Sequence, residues 1–432
     1  MQDTPITAHA VRHSLHGQHQ PHDYHQACDH RQSQELIHTA SDLGFSIPGI
    51  ATATADRRTF LKVASLPCMA ACAAACLGGS PAHGLAAFAA TEDDSRFRVE
   101  ARFYEKLPGK NVHCKLCPRG CIVADRERGH CRIRENRGGT YYTLVHSRVC
   151  AAHIDPIEKK PFFHFHPGIV AFSLATAGCN VTCKFCQNWE ISQAKPEELP
   201  ARYMPPADIA AQARQNQCPA VAFTYSEPTV WNEFVTDAAD AAREQGLKAV
   251  VISNGFIQQE PLKRLCRHVD AIKIDMKSFS DKYYREVVDA QLQPILDTLV
   301  TTRKEAKWME IVHLVVPTLN DGDAEFRDLA RWVKANLGTD VPIHFTRFHP
   351  MFLLKNLPPT PVETLERGKA IADAEGLQYV YIGNVPGHPA ENTYCPKCRH
   401  LLIERAGFTV TQNHIRKGKC EYCQHAIPGV WS

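Results

Sequence analysis

Between residues 151 and 392 the chain repeats one pattern, a short apolar run followed by a stretch that reads as helix. The runs are Ile169–Leu174, Ala220–Thr224, Lys248–Ile252, Ala271–Ile274, Met309–Val316, Ile343–Phe348 and Gln378–Ile382. Near-continuous β-branched runs separated by helical stretches predict strands covered on both faces, hence a parallel sheet with helical crossovers. The expected fold class is α/β, a partial barrel of the (β/α)6 type over 151–392. In such barrels function collects at the carboxyl ends of the strands. Here those ends carry polar or glycine residues: Ser226-Glu227-Pro228, Ser253-Asn254-Gly255, Asp275-Met-Lys277, His349-Pro350 and Gly383-Asn384.

The first run leads into Gly178-Cys-Asn-Val-Thr-Cys-Lys-Phe-Cys186, a C-x3-C-x2-C spacing. Thiolates from Cys179, Cys183 and Cys186 can grip three corners of a cubane iron–sulfur cluster, where an electron-transfer cluster uses four cysteines. The iron left over is open to an exogenous group. Spacings of four and three also suit one face of a helix, but Gly178, Asn180 and the Val181-Thr182 pair disfavour helix there.

Eighteen cysteines in 432 residues sort by spacing. Cys114, Cys117, Cys121 and Cys131 lie in a polar segment, 92–150, too small to fold on an apolar core alone. They can hold Zn2+ tetrahedrally or an iron–sulfur cluster, and spacing does not choose. Cys395-Pro-Lys-Cys398 and Cys420-Glu-Tyr-Cys423, in 393–432, are two knuckles that read as a zinc ribbon. Val410, Val430, Phe408 and Trp431 are the residues expected to pack around it. Cys28, Cys150, Cys218 and Cys266 stand alone.

Residues 1–56, rich in His, Gln, Ala and Asp, read as a disordered tail. Arg57-Arg58-Thr-Phe-Leu-Lys62, an apolar run carrying Cys68, Cys72 and Cys76, and Ala87-Phe88-Ala89 together make 57–91 resemble a cleavable twin-arginine export signal. That run is too short for a membrane span. Lys+Arg 49 against Asp+Glu 46 gives a near-neutral chain, and with no aromatic-rich basic patch a nucleic-acid partner is not expected.

The strand-end side chains suggest the exogenous ligand. Glu227 can hold an ammonium, Lys277 a carboxylate, and Asn254 and Asp275 ribose hydroxyls. With the cysteine motif, in which Phe185 takes the aromatic place before the last cysteine, the sequence resembles the radical S-adenosylmethionine (radical SAM) superfamily. Asp275-Met-Lys277, Ser253-Asn254-Gly255 and Phe348-His349 are similar to motifs of the pyruvate formate-lyase activating enzyme branch. Ser226-Glu227-Pro228 departs from that branch's Gly-Gly-Glu-Pro. Over roughly 100–432 the chain is similar, more narrowly, to the radical SAM enzymes of the AmmeMemoRadiSam system. The strings that carry this likeness are His153-Ile-Asp155-Pro-Ile-Glu158-Lys-Lys160-Pro, His164, Cys186-Gln-Asn-Trp-Glu-Ile-Ser192, Thr224-Tyr-Ser-Glu-Pro-Thr229, Arg347-Phe-His-Pro350 and Tyr381-Ile-Gly-Asn384.

The resemblance implies a [4Fe-4S] cluster on Cys179, Cys183 and Cys186, and S-adenosylmethionine held near Phe185, Glu227, Asn254, Asp275, Lys277 and His349. It implies a low-potential electron donor and AMMECR-type and Memo-type partner proteins. The implied reaction cleaves S-adenosylmethionine to a 5′-deoxyadenosyl radical that takes hydrogen from a protein or small-molecule substrate. Two other readings stand beside it: a glycyl-radical-enzyme activase, and an iron–sulfur electron carrier without turnover. Asp155, Glu158, Lys159, Lys160 and His164 can face the substrate or serve structure. The export-like leader points outside the cytoplasm, and the cofactors point inside.

Overall fold

The computed structural model describes residues 94–431. The tail assigned to 1–56 and the export-like segment 57–91 lie outside the described residues. One eight-stranded sheet organises the rest. Its strands are β1 (Ala151–Pro156), β2 (Val170–Ala175), β3 (Ala220–Phe223), β4 (Lys248–Ser253), β5 (Ala271–Asp275), β6 (Met309–Val315), β7 (Ile343–Arg347) and β8 (Val380–Gly383). They lie side by side in chain order. Strands β2 to β8 are parallel and β1 pairs antiparallel with β2, so the sheet is mixed.

Six helices make the crossovers: α1 (Pro206–Gln215), α2 (Asn232–Glu244), α3 (Gln259–His268), α4 (Leu292–Glu305), α5 (Asp323–Asn336) and α6 (Val362–Ala374). Strand alternation decides what each face meets. On β5, Ile272 and Ile274 turn toward the helices and join the main apolar core. Lys273 and Asp275 turn the other way and line a cavity. Toward the amino ends, Ala171, Ala220, Ala222 and Ala271 leave room on the inner face for Phe162 and Phe165, which close that end with Ile157 and Trp308.

β1 and β8 end the sheet without pairing to each other. The C-terminal module ties the two edges. Phe163, between β1 and β2, joins Tyr379 and Tyr381 at β8 in one cluster with Leu402, Ile403, Ile415 and Ile427. His164 Nδ1 meets the Pro428 carbonyl at 2.7 Å and Nε2 meets the Tyr381 hydroxyl at 2.6 Å. The first contact needs N–H at Nδ1, so Tyr381 donates to Nε2. The Arg405 guanidinium donates to the Phe163 carbonyl at 2.9 Å. Val410 and Trp431 pack at the edge of the same cluster, and Val430 bridges to Phe165. Phe408 differs from its expected place: at the turn between β9 (Leu401–Ala406) and β10 (Thr409–Asn413) it is exposed and lines the cavity instead.

The segment from Asp94 to Thr143 folds as two small antiparallel sheets, and Arg148–Val149 pairs antiparallel with Arg202–Tyr203. Its little core gathers Ala101, Val112, Leu116, Val123 and Tyr141 around Cys114. It docks on the barrel through a buried Arg134–Glu233 ion pair, whose carboxylate belongs to the first turn of α2. Among the described residues no helix is long and apolar enough to cross a membrane.

Candidate active site

A cavity of about 510 Å3 opens at the carboxyl ends of the strands. Cys179, Cys183, Cys186, Phe185, Glu227, Asn254, Asp275 and Lys277 all line it. Eight of the nine residues expected to hold the cluster and its ligand are thus brought together. His349 is not: it is exposed and absent from the lining. Its loop is tied by Leu353, whose N–H donates to the Lys184 carbonyl at 2.9 Å.

The cysteine loop leaves β2 without helical structure, as Gly178 and the β-branched pair predict. Gly178 sits at φ +91°, where a side chain is strained, and a Cβ there would lie 2.7 Å from the Cys131 carbonyl oxygen. Backbone bonds pin the loop from outside, Thr182 to Val288 at 3.1 Å and Lys184 to Val287 at 2.9 Å. Asn180 donates to the Phe256 carbonyl at 2.6 Å, and Asn254 donates to Asn180 at 2.9 Å. The Asn254 amide also stands 3.6 Å from the Cys179 sulfur, and Ser192 lies 3.3 Å from that of Cys186.

Burial pushes the Cys183 thiol up to about 12 and Cys179 well above the ordinary thiol value. Bare thiolates are disfavoured here, and iron ligation would remove that cost, so the donor set fits a cluster.

Glu227 is buried, four residues past the end of β3, and caps the one-turn helix Pro228–Trp231. Oε1 accepts from the Thr229 N–H at 2.8 Å and the Ser253 hydroxyl at 2.7 Å, and Oε2 accepts from the Asn254 N–H at 2.8 Å. Oε2 keeps one lone pair for a cationic ligand. Burial alone would raise the Asp275 carboxyl, but Lys273 and Lys277 hold it below the usual range. Lys277 Nζ reaches Asp275 at 3.4 Å and lies 5.6 Å from the centre of the Phe185 ring.

The charged run before β2 divides. Glu158, Lys159 and Lys160 line the cavity. Asp155 accepts from Lys159 at 2.8 Å, from Lys160 and from Tyr225. His164 serves the seam to the C-terminal module. Sequence reasoning missed Lys273, His344, Glu391 and Phe408 on the lining. A charge at inner-face parity within an apolar strand was the available signal for Lys273 and His344. His344 Nε2 meets buried Glu310 at 2.8 Å, and its Nδ1 has no hydrogen-bond partner among the described residues.

Farther along the chain, the ligand atoms of Cys395, Cys398, Cys420 and Cys423 all lie within 4.8 Å of one another. The Cys395–Cys423 and Cys398–Cys420 sulfurs are 3.6 and 3.7 Å apart. Four thiolates on one tetrahedral zinc stand about 3.8 Å apart, so the quartet fits a single ion.

Comparison with known proteins places the chain in a family. Residues 173–333 match the Radical SAM superfamily. An uncharacterized protein of Methanocaldococcus jannaschii is 47% identical over 330 residues, spanning 76% of this chain and 98% of that protein. The pyruvate formate-lyase-activating enzyme of Clostridium pasteurianum is 24% identical over 187 residues, 41% of this chain and 75% of the enzyme. A solved structure of a radical SAM methyltransferase from Sphaerobacter thermophilus aligns with TM-score 0.42 at 14% identity, over 68% of this chain and 81% of that one. The chain belongs to the radical SAM superfamily.

Proposed function

We propose that the protein is a radical SAM enzyme whose cluster is held by Cys179, Cys183 and Cys186. The observation that carries this is the shared cavity: three thiols from one loop face Glu227, Asn254, Asp275 and Lys277 from three other strand ends. When bound, the reduced [4Fe-4S] cluster supplies one electron that splits S-adenosylmethionine into methionine and a 5′-deoxyadenosyl radical. The chain's share is to bind, orient and exclude water. Glu227 Oε2 receives the ammonium, Lys277 the carboxylate, and Asn254 and Asp275 the ribose hydroxyls. The C-terminal quartet holds structural zinc.

The substrate enters past Lys159, Lys160, Glu391 and Phe408, which line the same cavity as the cysteine loop. The enzyme is of the AmmeMemoRadiSam type, working with a low-potential donor and with AMMECR-type and Memo-type proteins. The likeness to the clostridial activating enzyme leaves glycyl-radical activation as the second reading. Anaerobic reconstitution with S-adenosylmethionine and dithionite should yield 5′-deoxyadenosine. A fully loaded protein that forms none would sink the proposal.

A further inference from the structure

We infer that the substrate is an amine whose N–H groups meet two acceptors inside the barrel, His344 Nδ1 and Glu158 Oε2. The inference rests on the radical SAM reading and names the substrate class of that same cavity.

His344 is held in one tautomer. Its Nε2 meets Glu310 Oε2 at 2.8 Å. Glu310 also accepts from the backbone N–H groups of Phe163 and His164, at 2.9 and 2.8 Å, and from Trp308 Nε1 at 3.0 Å. A carboxyl that accepts from all these donors is ionised, so His344 Nε2 carries the proton and Nδ1 keeps a lone pair. That Nδ1 is buried and has no hydrogen-bond partner among the described residues, while His344 lines the cavity. A buried acceptor without a donor is costly, and native structures hold few of them. His344 is the second residue of β7 and Glu310 the second of β6. The pair therefore sits deeper in the barrel than the strand ends that carry the cofactor contacts.

Glu158 repeats the pattern. It is 1% exposed and lines the cavity. Oε1 accepts from the Gly168 N–H at 2.9 Å, and Oε2 has no partner among the described residues. Arg405 Nε stands 3.9 Å from Oε1, too far for a hydrogen bond. The Arg405 guanidinium donates instead to the Glu391 and Phe163 carbonyls at 3.1 and 2.9 Å and to the Thr393 hydroxyl at 2.9 Å. Its central carbon stands 4.0 Å from the centre of the Phe163 ring, and that ring meets the His344 ring at 4.7 Å. The two acceptors thus belong to one wall built round Phe163, which also lines the cavity.

The nearby lysines are engaged elsewhere. Lys159 and Lys160 donate to Asp155, and Lys273 donates to Asp275. An anionic substrate brings no donor and would face the carboxylates of Glu158, Glu310 and Glu391. An alcohol brings one donor and no charge. An ammonium brings three donors and the opposite charge. Burial raises the Glu158 carboxyl to about 7, and a cation at Oε2 favours its charged form.

The test uses the intact chain, reconstituted anaerobically and saturated with S-adenosylmethionine so that the cofactor's own ammonium takes Glu227. Binding of butylammonium, butanol and butyrate is followed by saturation-transfer NMR with the cluster oxidised. Butylammonium should bind about tenfold or more tighter than either of the others. Equal binding of the three, or tighter binding of butanol or butyrate, overturns the substrate class. Glu158→Gln turns the Oε2 acceptor into a donor. His344→Gln keeps a donor for Glu310 and removes Nδ1. Each should weaken butylammonium about tenfold or more and leave butanol unchanged, with iron content and circular dichroism reporting that the chain is folded. Unchanged butylammonium affinity in either folded variant overturns the site. Loss of 5′-deoxyadenosine from the intact, loaded chain with dithionite would overturn the underlying reading instead.

Discussion

Asn254 holds its side-chain amide 3.6 Å from the sulfur of Cys179 while its backbone N–H donates to Glu227. One residue thus touches both the cluster loop and the cap proposed to receive the ligand's ammonium. An N–H aimed at a ligating sulfur stabilises the more negative, reduced cluster. Replacing Asn254 by Asp removes the donor and adds a charge. The expected result is full iron content, a more negative midpoint potential and about 10–100-fold slower 5′-deoxyadenosine formation. An unchanged potential would remove Asn254 from this role.

Gly178→Ala tests the contact between the N-terminal module and the cluster loop. The new methyl meets the Cys131 carbonyl at 2.7 Å and Ile133 at 2.6 Å, at a backbone φ of +91°. Left-handed backbone alone costs an L-residue about 1–2 kcal/mol, and the clash adds to it. Iron retention at Cys179–Cys186 should fall while zinc at Cys395–Cys423 stays, which metal analysis of the purified protein resolves.

Arg134 and Glu233 are each only 1% exposed in their side chains. Arg134 also donates to the Val230 carbonyl at 2.9 Å. Truncating one partner leaves a buried, unpaired charge, so Arg134→Met should cost about 3–5 kcal/mol in denaturant unfolding. Arg134→Met/Glu233→Leu should recover much of that loss, because the penalty comes from the orphaned carboxylate.

Burial pushes the His164 imidazole down to about 4, from 6.5. The unfolded chain therefore binds this proton first, and stability from neutral His164 is lost as pH falls from 6.5 toward 4. Glu158 works in the opposite direction. Burial raises its carboxyl to about 7, so its contribution is full at low pH and fades as pH rises from 4.5 through 7. The expected outcome for His164→Gln is a shallower fall of Tm between pH 6.5 and 4. Glu158→Gln should steepen that fall. A melting series across this range reads both.

Cys420→Ser removes one ligand from the C-terminal quartet and loosens the cluster that includes Phe163, Tyr379 and Tyr381. Loss of a structural metal belongs among the large effects, above about 4 kcal/mol. Tryptophan fluorescence should report early exposure of Trp431, ahead of barrel unfolding followed by circular dichroism.

The barrel was legible because its strands are covered on both faces, which writes each one as an unbroken apolar run. Asp275 and Lys277 were legible because they stand where such a run stops. The antiparallel edge Ala151–Pro156 was not. It is half-covered, ends in proline and carries Asp155, so it reads as loop. His349 follows a strand as the others do, yet faces solvent beside a loop tied to Lys184. Local sequence holds no trace of that long-range bond. Lys273 and His344 were hidden for a different reason: their parity on the strand becomes meaningful only once the sheet has an inside. The partners of Glu227 lie two and about twenty-six positions away. The near one is a cap any sequence can offer, and the far ones exist only when β3 and β4 align.

The module that joins β1 to β8 follows both strands in the chain. While the ribosome completes residues 393–432, Phe163, Tyr379 and Tyr381 have no cover, and both sheet edges are exposed to pairing with other chains. At roughly 5–20 residues per second that interval lasts a few seconds. An ion held by the Cys395–Cys423 quartet would complete that seam. A chain without the module would keep its cysteine loop but lose the cover of Phe163, Tyr379 and Tyr381, the two edges that the module holds together.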